Sequence, residues 1–203
     1  KGFKLAFLAY TYATNGIKAA PPFRVNYIEE KRMAEDIARA KAMKPDAIIA
    51  FIHWGNEYQQ QPSAEQRQLA QWLISEGVDH IIGSHPHVVQ PIELLDSDEY
   101  PTQHAVVYSL GNYVSNMSIT HGDVGLTVEL VLEKRGHVTR LKQLDYDLIW
   151  TERSALSCTE DFRIIPADTI PDDLSPDARH RMQHAIDTEK RFLNAASHTQ
   201  KLE

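Results

Sequence analysis

The chain has 203 residues, of which 42% are hydrophobic and 24% are charged, a composition that excludes a disordered or fibrous protein. A net charge of −7 without a basic run argues against a broad phosphate-binding surface, so we expect no nucleic-acid partner. The longest apolar runs are far shorter than the roughly 20 residues of a membrane helix, and the single cysteine, Cys158, excludes an internal disulfide.

The first half of the chain alternates predicted strands with predicted helices. Asn26 is the expected N-cap of the first helix, which Pro45 ends. Ser63 and Gln66 form a capping box at the start of the second helix. This order predicts buried parallel strands joined by right-handed helical crossovers. The strands are predicted at residues 5–12, 47–52 and 78–82.

The second half has a different pattern, with short strands and no helices between them. Strands are predicted at residues 88–95 and 105–110, followed by a hairpin over residues 126–148, so we expect this part to be antiparallel. Residues 151–173 show little periodicity and predict a loop that wraps over the surface. A final helix begins at Pro176. We therefore predict a mixed α/β fold.

Three predicted strand ends carry His, Asn and Glu residues. His53 and the pair His85 and His87 follow the carboxyl ends of two strands that one helix connects, where open α/β sheets bind ligands. If the strands are neighbours, about 4.8 Å separates them and the three rings can reach one ion. His85 and His87 are two residues apart, so in an extended segment both rings face the same side. The spacing predicts that His53, His85 and His87 are metal ligands.

Other residues of these loops have less specific roles. Glu57 is the nearest acid, and it either orients a histidine ring from outside the ligand set or is an ordinary solvated side chain. Asn56 in the same loop is a further candidate for contact with substrate or ligand. Asn112 either offers its amide to a ligand or belongs to a simple turn with Gly111. We interpret the remaining seven histidines as structural.

The loops also carry a family resemblance. Residues 51–58 read FIHWGNEY, residues 83–90 read GSHPHVVQ, and residues 108–114 read YSLGNYV. Together they resemble three signature blocks of the CapA family of bacterial capsule synthesis proteins, over roughly residues 5–131. That family is associated with poly-gamma-glutamate capsule formation and is similar to the calcineurin-like metallophosphoesterases.

The resemblance implies a two-sheet α/β/β/α sandwich and a metal-dependent phosphoester hydrolysis or transfer. It implies a two-metal site for Mn, Zn or Fe with His53, His85 and His87 as ligands, and a catalytic contact from His85 or His87 to the leaving oxygen. The early Asp, Gly-Asp and Asn-His blocks of the superfamily do not precede His53. The chain therefore resembles the C-terminal half of such a domain, with an incomplete ligand set, and we expect it to be inactive alone.

In this interpretation residues 1–150 form the C-terminal part of the domain, residues 151–201 add a wrapping segment and the last helix, and residues 202–203 are a cloning remnant. The partners implied are the missing N-terminal half, other capsule synthesis proteins, and a second copy of the fragment. The expected location is the cell envelope, outside the cytoplasmic membrane, with any anchor upstream. The alternative function is a non-catalytic envelope component that binds an anionic polymer and assists capsule synthesis or export.

Overall fold

The computed structural model describes residues 2–96, 103–153, 162–196 and 198–201. The strands are β1 (Leu5–Thr11), β2 (Ala47–His53), β3 (His80–Ser84), β4 (Ile92–Asp96), β5 (Gln103–Val107), β6 (Val124–Arg135), β7 (Val138–Arg153), β8 (Phe162–Pro166) and β9 (His198–Lys201). The helices are α1 (Glu30–Ala42), α2 (Ala64–Ser75) and α3 (Pro176–Ala196). None of these helices is both long and apolar enough to span a bilayer.

The larger sheet has the strand order β1-β2-β3-β5-β4-β9. Its first three strands are parallel, as the sequence predicts. Thr11 pairs with His53 and His53 pairs with Ser84, so β1, β2 and β3 end level with one another. The loops that follow these strands therefore all leave the sheet at the carboxyl ends of its strands.

The smaller sheet is antiparallel, in the order β6-β7-β8. The predicted hairpin forms its β6 and β7 strands. The second half of the chain is not uniformly antiparallel, because β5 is parallel to β3 and β9 is parallel to β4. Sequence patterns report which residues are buried but not which strands become neighbours, so these two pairings could not be predicted.

The pleat of the larger sheet divides the core in two. On β2, Ile48, Ala50 and Ile52 pack with α1 and α2, whereas Ile49 lies in a second cluster with residues of the smaller sheet and α3. Successive side chains on a strand point to opposite faces, which is why one strand serves both clusters. The two sheets share the second cluster, and the predicted mixed α/β fold is confirmed.

The two helix starts differ from each other. At α2 the Ser63–Gln66 capping box is present, as predicted. At α1 the predicted cap by Asn26 is wrong, because the helix begins at Glu30 and its N-cap, Glu29, makes no side-chain cap bond. The Asn26 carbonyl instead accepts a hydrogen bond from the Thr11 backbone N–H over 2.9 Å. Residues near Asn26 thus extend the end of β1 before the helix begins.

Two further strand predictions need correction. β1 is not buried, because it lies at the edge of the sheet and leaves Phe7 60% exposed. Residues 151–173 are not all irregular, because β7 continues to Arg153 and pairs with β8. Only Ile165 of β8 is buried, so the strand has too short an apolar pattern to be recognised. Cys158 lies outside the described residues.

Gly83, near the end of β3, allows the closest packing beside the loops. The Trp54 indole N–H donates to the Tyr108 carbonyl over 2.9 Å, and both groups lie against Gly83. A Cβ at Gly83 would overlap the Tyr108 carbonyl oxygen and lie 2.5 Å from Trp54 Nε1. Because backbone cannot move aside as a flexible side chain can, this position excludes larger residues.

Gly83→Ala should therefore lower the free energy of unfolding by about 1–3 kcal/mol or more, the usual range for overpacking a core. The control is Gly136→Ala in the β6–β7 turn, where the added methyl meets open space and only the positive φ costs about 1–2 kcal/mol. Unfolding in urea compares the two variants. If Gly83→Ala were as stable as Gly136→Ala or more stable, the proposed overlap at Gly83 would be contradicted.

His80 makes the stability of the larger sheet depend on pH. The backbone N–H of Ala105 donates to His80 Nδ1 over 3.1 Å, so this nitrogen carries a lone pair and the ring is neutral. Burial, and next the charge of His104, lowers the pKa of His80 to about 4. The pKa of an unfolded histidine is about 6.5. Between these values the unfolded chain binds a proton that the folded chain does not.

The free energy of unfolding should therefore fall as the pH falls from about 6.5 to about 4, by up to about 3 kcal/mol from this residue. His80→Gln should remove this part of the pH dependence, because glutamine does not titrate. The measurement is urea unfolding at pH 7, 5.5 and 4.5, with exposed His137→Gln as the control. Equal pH slopes for wild type and His80→Gln would show that His80 is not the group involved.

Candidate metal centre

The structure brings the three predicted histidines together at one sheet edge. His53 ends β2, and His85 and His87 follow β3. The ring centroids of His53 and His85 are 4.6 Å apart, and those of His85 and His87 are 6.1 Å apart. The level ends of β2 and β3 produce this proximity.

The Glu57 carboxylate lies close to two of the histidine rings. The ligand atoms of Glu57, His85 and His87 all lie within 4.8 Å of one another, which is the one such group in the described ranges. His53 is outside this group, and its Nδ1 lies 3.4 Å from the Ser84 hydroxyl. Glu57, His85 and His87 are therefore close enough together to share one ion, and His53 lies beside His85.

The backbone around Pro86 is not the extended segment that the spacing predicts. His85 has a φ of 104° and His87 a φ of 59°, both in the region that non-glycine residues rarely adopt. The Tyr58 backbone N–H donates to the Pro86 carbonyl over 2.7 Å, which joins the two loops. Such conformations cost about 1–3 kcal/mol each and cluster at functional sites.

Asn112 determines which nitrogen of His87 is available. The Asn112 amide nitrogen donates to the carbonyls of His87 and Gly122, at 3.1 and 2.9 Å. Its Oδ1 must then be the atom 2.8 Å from His87 Nδ1, so Nδ1 carries the proton and donates. Nε2 of the neutral ring keeps its lone pair for a metal. Asn112 thus orients the His87 ring, and its amide both donates to and accepts from groups of the chain itself.

Two tyrosines border the histidines and were not identified from the sequence. The Tyr12 ring lies 4.5 Å from that of His85 and stacks on His53 at 5.9 Å. The Tyr58 ring lies 6.2 Å from that of His87. Tyr12 directly follows β1, so the rule that located His53 could also have located it. Asn56 is exposed, and no contact among the described residues connects it to the histidines.

Burial and neighbouring charges lower the pKa of two of the rings. Burial is the main cause that lowers the pKa of His53, and the charge of His87 adds to it. Burial also lowers the pKa of His85, with a further decrease from His53, while Glu57 acts in the opposite direction. Neutral imidazole is the form that binds metal.

These donors fit one divalent ion. Two imidazoles and a carboxylate are a frequent protein ligand set for zinc, and imidazole also suits iron. Two ions would need further oxygen ligands, and the described residues form no second group of this kind. The described residues therefore offer donors for a single ion.

Comparison with protein families gives a match over residues 1–117 to the family described as "Bacterial capsule synthesis protein PGA_cap". The matched region includes all three loops of the site. The chain belongs to this family.

Two Bacillus relatives carry the same description in their names. The "PGA biosynthesis protein CapA" of Bacillus subtilis (strain 168) is 37% identical over 91 residues, which are 45% of this chain and 22% of the relative. The "Capsule biosynthesis protein CapA" of Bacillus anthracis is 31% identical over 139 residues, which are 66% of this chain and 31% of the relative. The chain thus matches less than a third of the length of either relative.

Among solved structures, the chain is similar to the calcineurin-like phosphoesterase YfkN from Bacillus subtilis. The alignment covers 81% of this chain and 44% of that one, with 18% identity and a TM-score of 0.32.

Asn112→Ala should lower the affinity for zinc by about 10–100-fold, the usual cost of losing a group that orients a metal-bound histidine. Without Oδ1, His87 Nδ1 has no acceptor and the ring can rotate. Calorimetric titration with zinc measures the change, and exposed Asn194→Ala is the matched control. An unchanged affinity would mean that Asn112 only closes a turn.

Proposed function

We propose that this chain supplies the histidine side of a divalent-metal site, and that the complete protein uses the site for hydrolysis or transfer at a phosphoester during capsule synthesis. The observation that carries this proposal is the convergence of Glu57, His85 and His87 within 4.8 Å. The fixed proton on His87 and the low pKa of His85 support it, because both make an imidazole lone pair available.

A bound ion would polarise the phosphoryl oxygens and lower the pKa of a water molecule that attacks the phosphorus. His85, His87 and Glu57 hold the ion in this assignment. His87 donates from Nδ1 to Asn112, so only its Nε2 can bind metal. The ring is therefore poorly placed to contact the leaving oxygen as well. His85 is more suitable for that contact, and His53 beside it can bind a second ion or donate to a phosphoryl oxygen.

The rest of the ligand set would come from another part of the polypeptide. Leu5, Phe7 and Phe51 form an exposed apolar surface on β1 and β2, with Phe7 60% and Phe51 44% exposed. Exposed apolar surface of this kind is typical of an interface. We propose that the N-terminal half of the domain packs there and brings a bridging carboxylate and an Asn to the histidines. A second copy of this chain is the alternative occupant.

The wider role proposed is in poly-gamma-glutamate capsule formation, on the extracytoplasmic side of the membrane and together with other capsule synthesis proteins. Membership of the capsule synthesis family supports the cell-envelope part of this proposal. The alternative, a non-catalytic component that binds an anionic polymer, is less favoured because the net charge of −7 opposes contact with an extended polyanion.

The test compares the 203-residue chain with a protein extended upstream of Lys1. Metal content and hydrolysis of p-nitrophenyl phosphate are measured for both. We expect the 203-residue chain to hold metal weakly and to be inactive, and the extended protein to bind metal and turn over substrate. His85→Ala in the extended protein should reduce turnover by about 100-fold or more, because a lost ligand also misplaces the ion.

Robust turnover by the unextended chain alone would contradict the proposal of a shared site and would indicate a complete mononuclear centre. An extended protein that binds metal through His85, retains poly-gamma-glutamate and hydrolyses nothing would instead support the non-catalytic alternative.

A further inference from the structure

We propose that Glu189, on α3, is a positioning residue for the metal site, which holds the Glu57 loop through Gln60 and the segment before β6 through His121, an inference that rests on the proposed function. Glu189 is 1% exposed and belongs to the part of the chain beyond the family match. Its carboxylate accepts from Gln60 Nε2 at 3.1 and 3.2 Å and from His121 Nδ1 at 2.6 Å. One buried group thus joins segments that are 129 and 68 residues away in sequence.

The Gln60 bond fixes the loop that carries Glu57. Gln60 lies three residues after Glu57, between β2 and α2. Gln90 supports the same loop, since its amide donates to the Gln59 carbonyl over 2.7 Å. The contact with Glu189 holds this loop against α3, and so limits how far the Glu57 carboxylate can move from the histidines.

The His121 bond acts on His87 through the backbone. His121 is followed by Gly122, whose carbonyl accepts from the Asn112 amide over 2.9 Å. Asn112 in turn accepts from His87 Nδ1 over 2.8 Å. His121 has a φ of 65°, a conformation that needs outside support in a non-glycine residue. A shift of His121 would therefore move the acceptor of Asn112 and release the His87 ring.

His121 lies beside open space. Its ring lines a cavity of about 460 Å³ that is also bordered by Ile119, His180 and His184. Since the cavity leaves part of the ring without packing, the hydrogen bond to Glu189 helps to fix its position.

The chemistry of Glu189 also argues for a positioning role. Burial raises its pKa, with His121 as the main opposing influence. Keeping a carboxylate in such surroundings costs folding free energy that an apolar residue of similar size would not cost. The hydrogen bonds from Gln60 and His121 offset this cost. They also hold the Glu57 loop and the segment before β6 at defined distances from α3.

The experiment uses the upstream-extended protein and the variant Glu189→Gln. The substitution removes the negative charge and replaces one of the two oxygens that face the Gln60 N–H by an N–H donor, so the contact with the Glu57 loop is weakened. We expect zinc affinity to fall about tenfold by calorimetry. In the metal-free protein labelled with ¹⁵N-histidine, the His87 Nδ1–H signal should shift or broaden as the ring is released.

The swapped pair Glu189→Gln with Gln60→Glu should rescue both readouts. In this double variant the amide now on α3 donates to the carboxylate now on the loop, while the amide oxygen still accepts from His121. The matched control is Asp187→Asn, a carboxylate-to-amide change on the exposed face of the same helix. Gln60→Ala, which removes only a half-buried donor, gives a second test of the Glu57 loop if Glu189→Gln folds poorly.

Unchanged zinc affinity and an unchanged His87 signal in a folded Glu189→Gln variant would overturn the inference. A loss that the swapped pair does not rescue would overturn it as well, since it would reflect general destabilisation. If the unaltered protein binds no zinc, the proposed function fails, whereas the His87 signal in the metal-free protein still decides the role of Glu189.

Discussion

The parallel register of β1, β2 and β3 is the constraint on which the candidate site depends. Thr11, His53 and Ser84 are aligned across the three strands, so each strand ends at the same height. A shift of two residues between β2 and β3 would move the histidine loops apart by about 7 Å, since a strand rises about 3.3 Å per residue. The register in turn depends on the apolar faces that pack against α1 and α2.

The loops beyond the strands need additional support, and they obtain it from polar groups. Asn112 holds the His87 ring, and the Tyr58 amide holds the turn at Pro86. Gln60 and His121 connect the same region to Glu189 on α3. These bonds hold backbone conformations that are unfavourable in isolation, which is the usual arrangement where side chains must be aimed at a ligand. Helix α3 thus supports the site through Glu189.

The donor set of the site and the exposed face of β1 and β2 are both consistent with a further segment of polypeptide that packs beside the histidines. The donor set is rich in imidazole and has one carboxylate, Glu57. Phe7 and Phe51 are exposed on strands that end at this site. A segment that covered these side chains would also lie beside the histidines. The family match ends at residue 117, and the smaller sheet, α3 and β9 lie beyond it.

The sequence by itself determined the α/β order, the β6–β7 hairpin, the capping box at α2 and the two loops that carry His53, His85 and His87. These features depend on local periodicity and on short-range turn chemistry, which are present in the residues themselves. It did not determine that β1 lies at the edge of the sheet, or that β5 pairs with β3 and β9 with β4. Strand neighbours are chosen by contacts between distant segments, which no local pattern encodes.

At the site, the sequence identified His53, His85 and His87, because strand ends and spacing mark them. Only the tertiary structure decided that Glu57, rather than His53, groups most closely with His85 and His87. It also decided that Asn112 fixes the proton of His87 and that Glu189 contacts both Gln60 and His121. These contacts connect residues far apart in sequence, and they involve backbone turns with positive φ that residue type does not reveal. The reason is physical: a side chain's partner is set by where the backbone aims it, and that direction is fixed only when the sheets and α3 have packed.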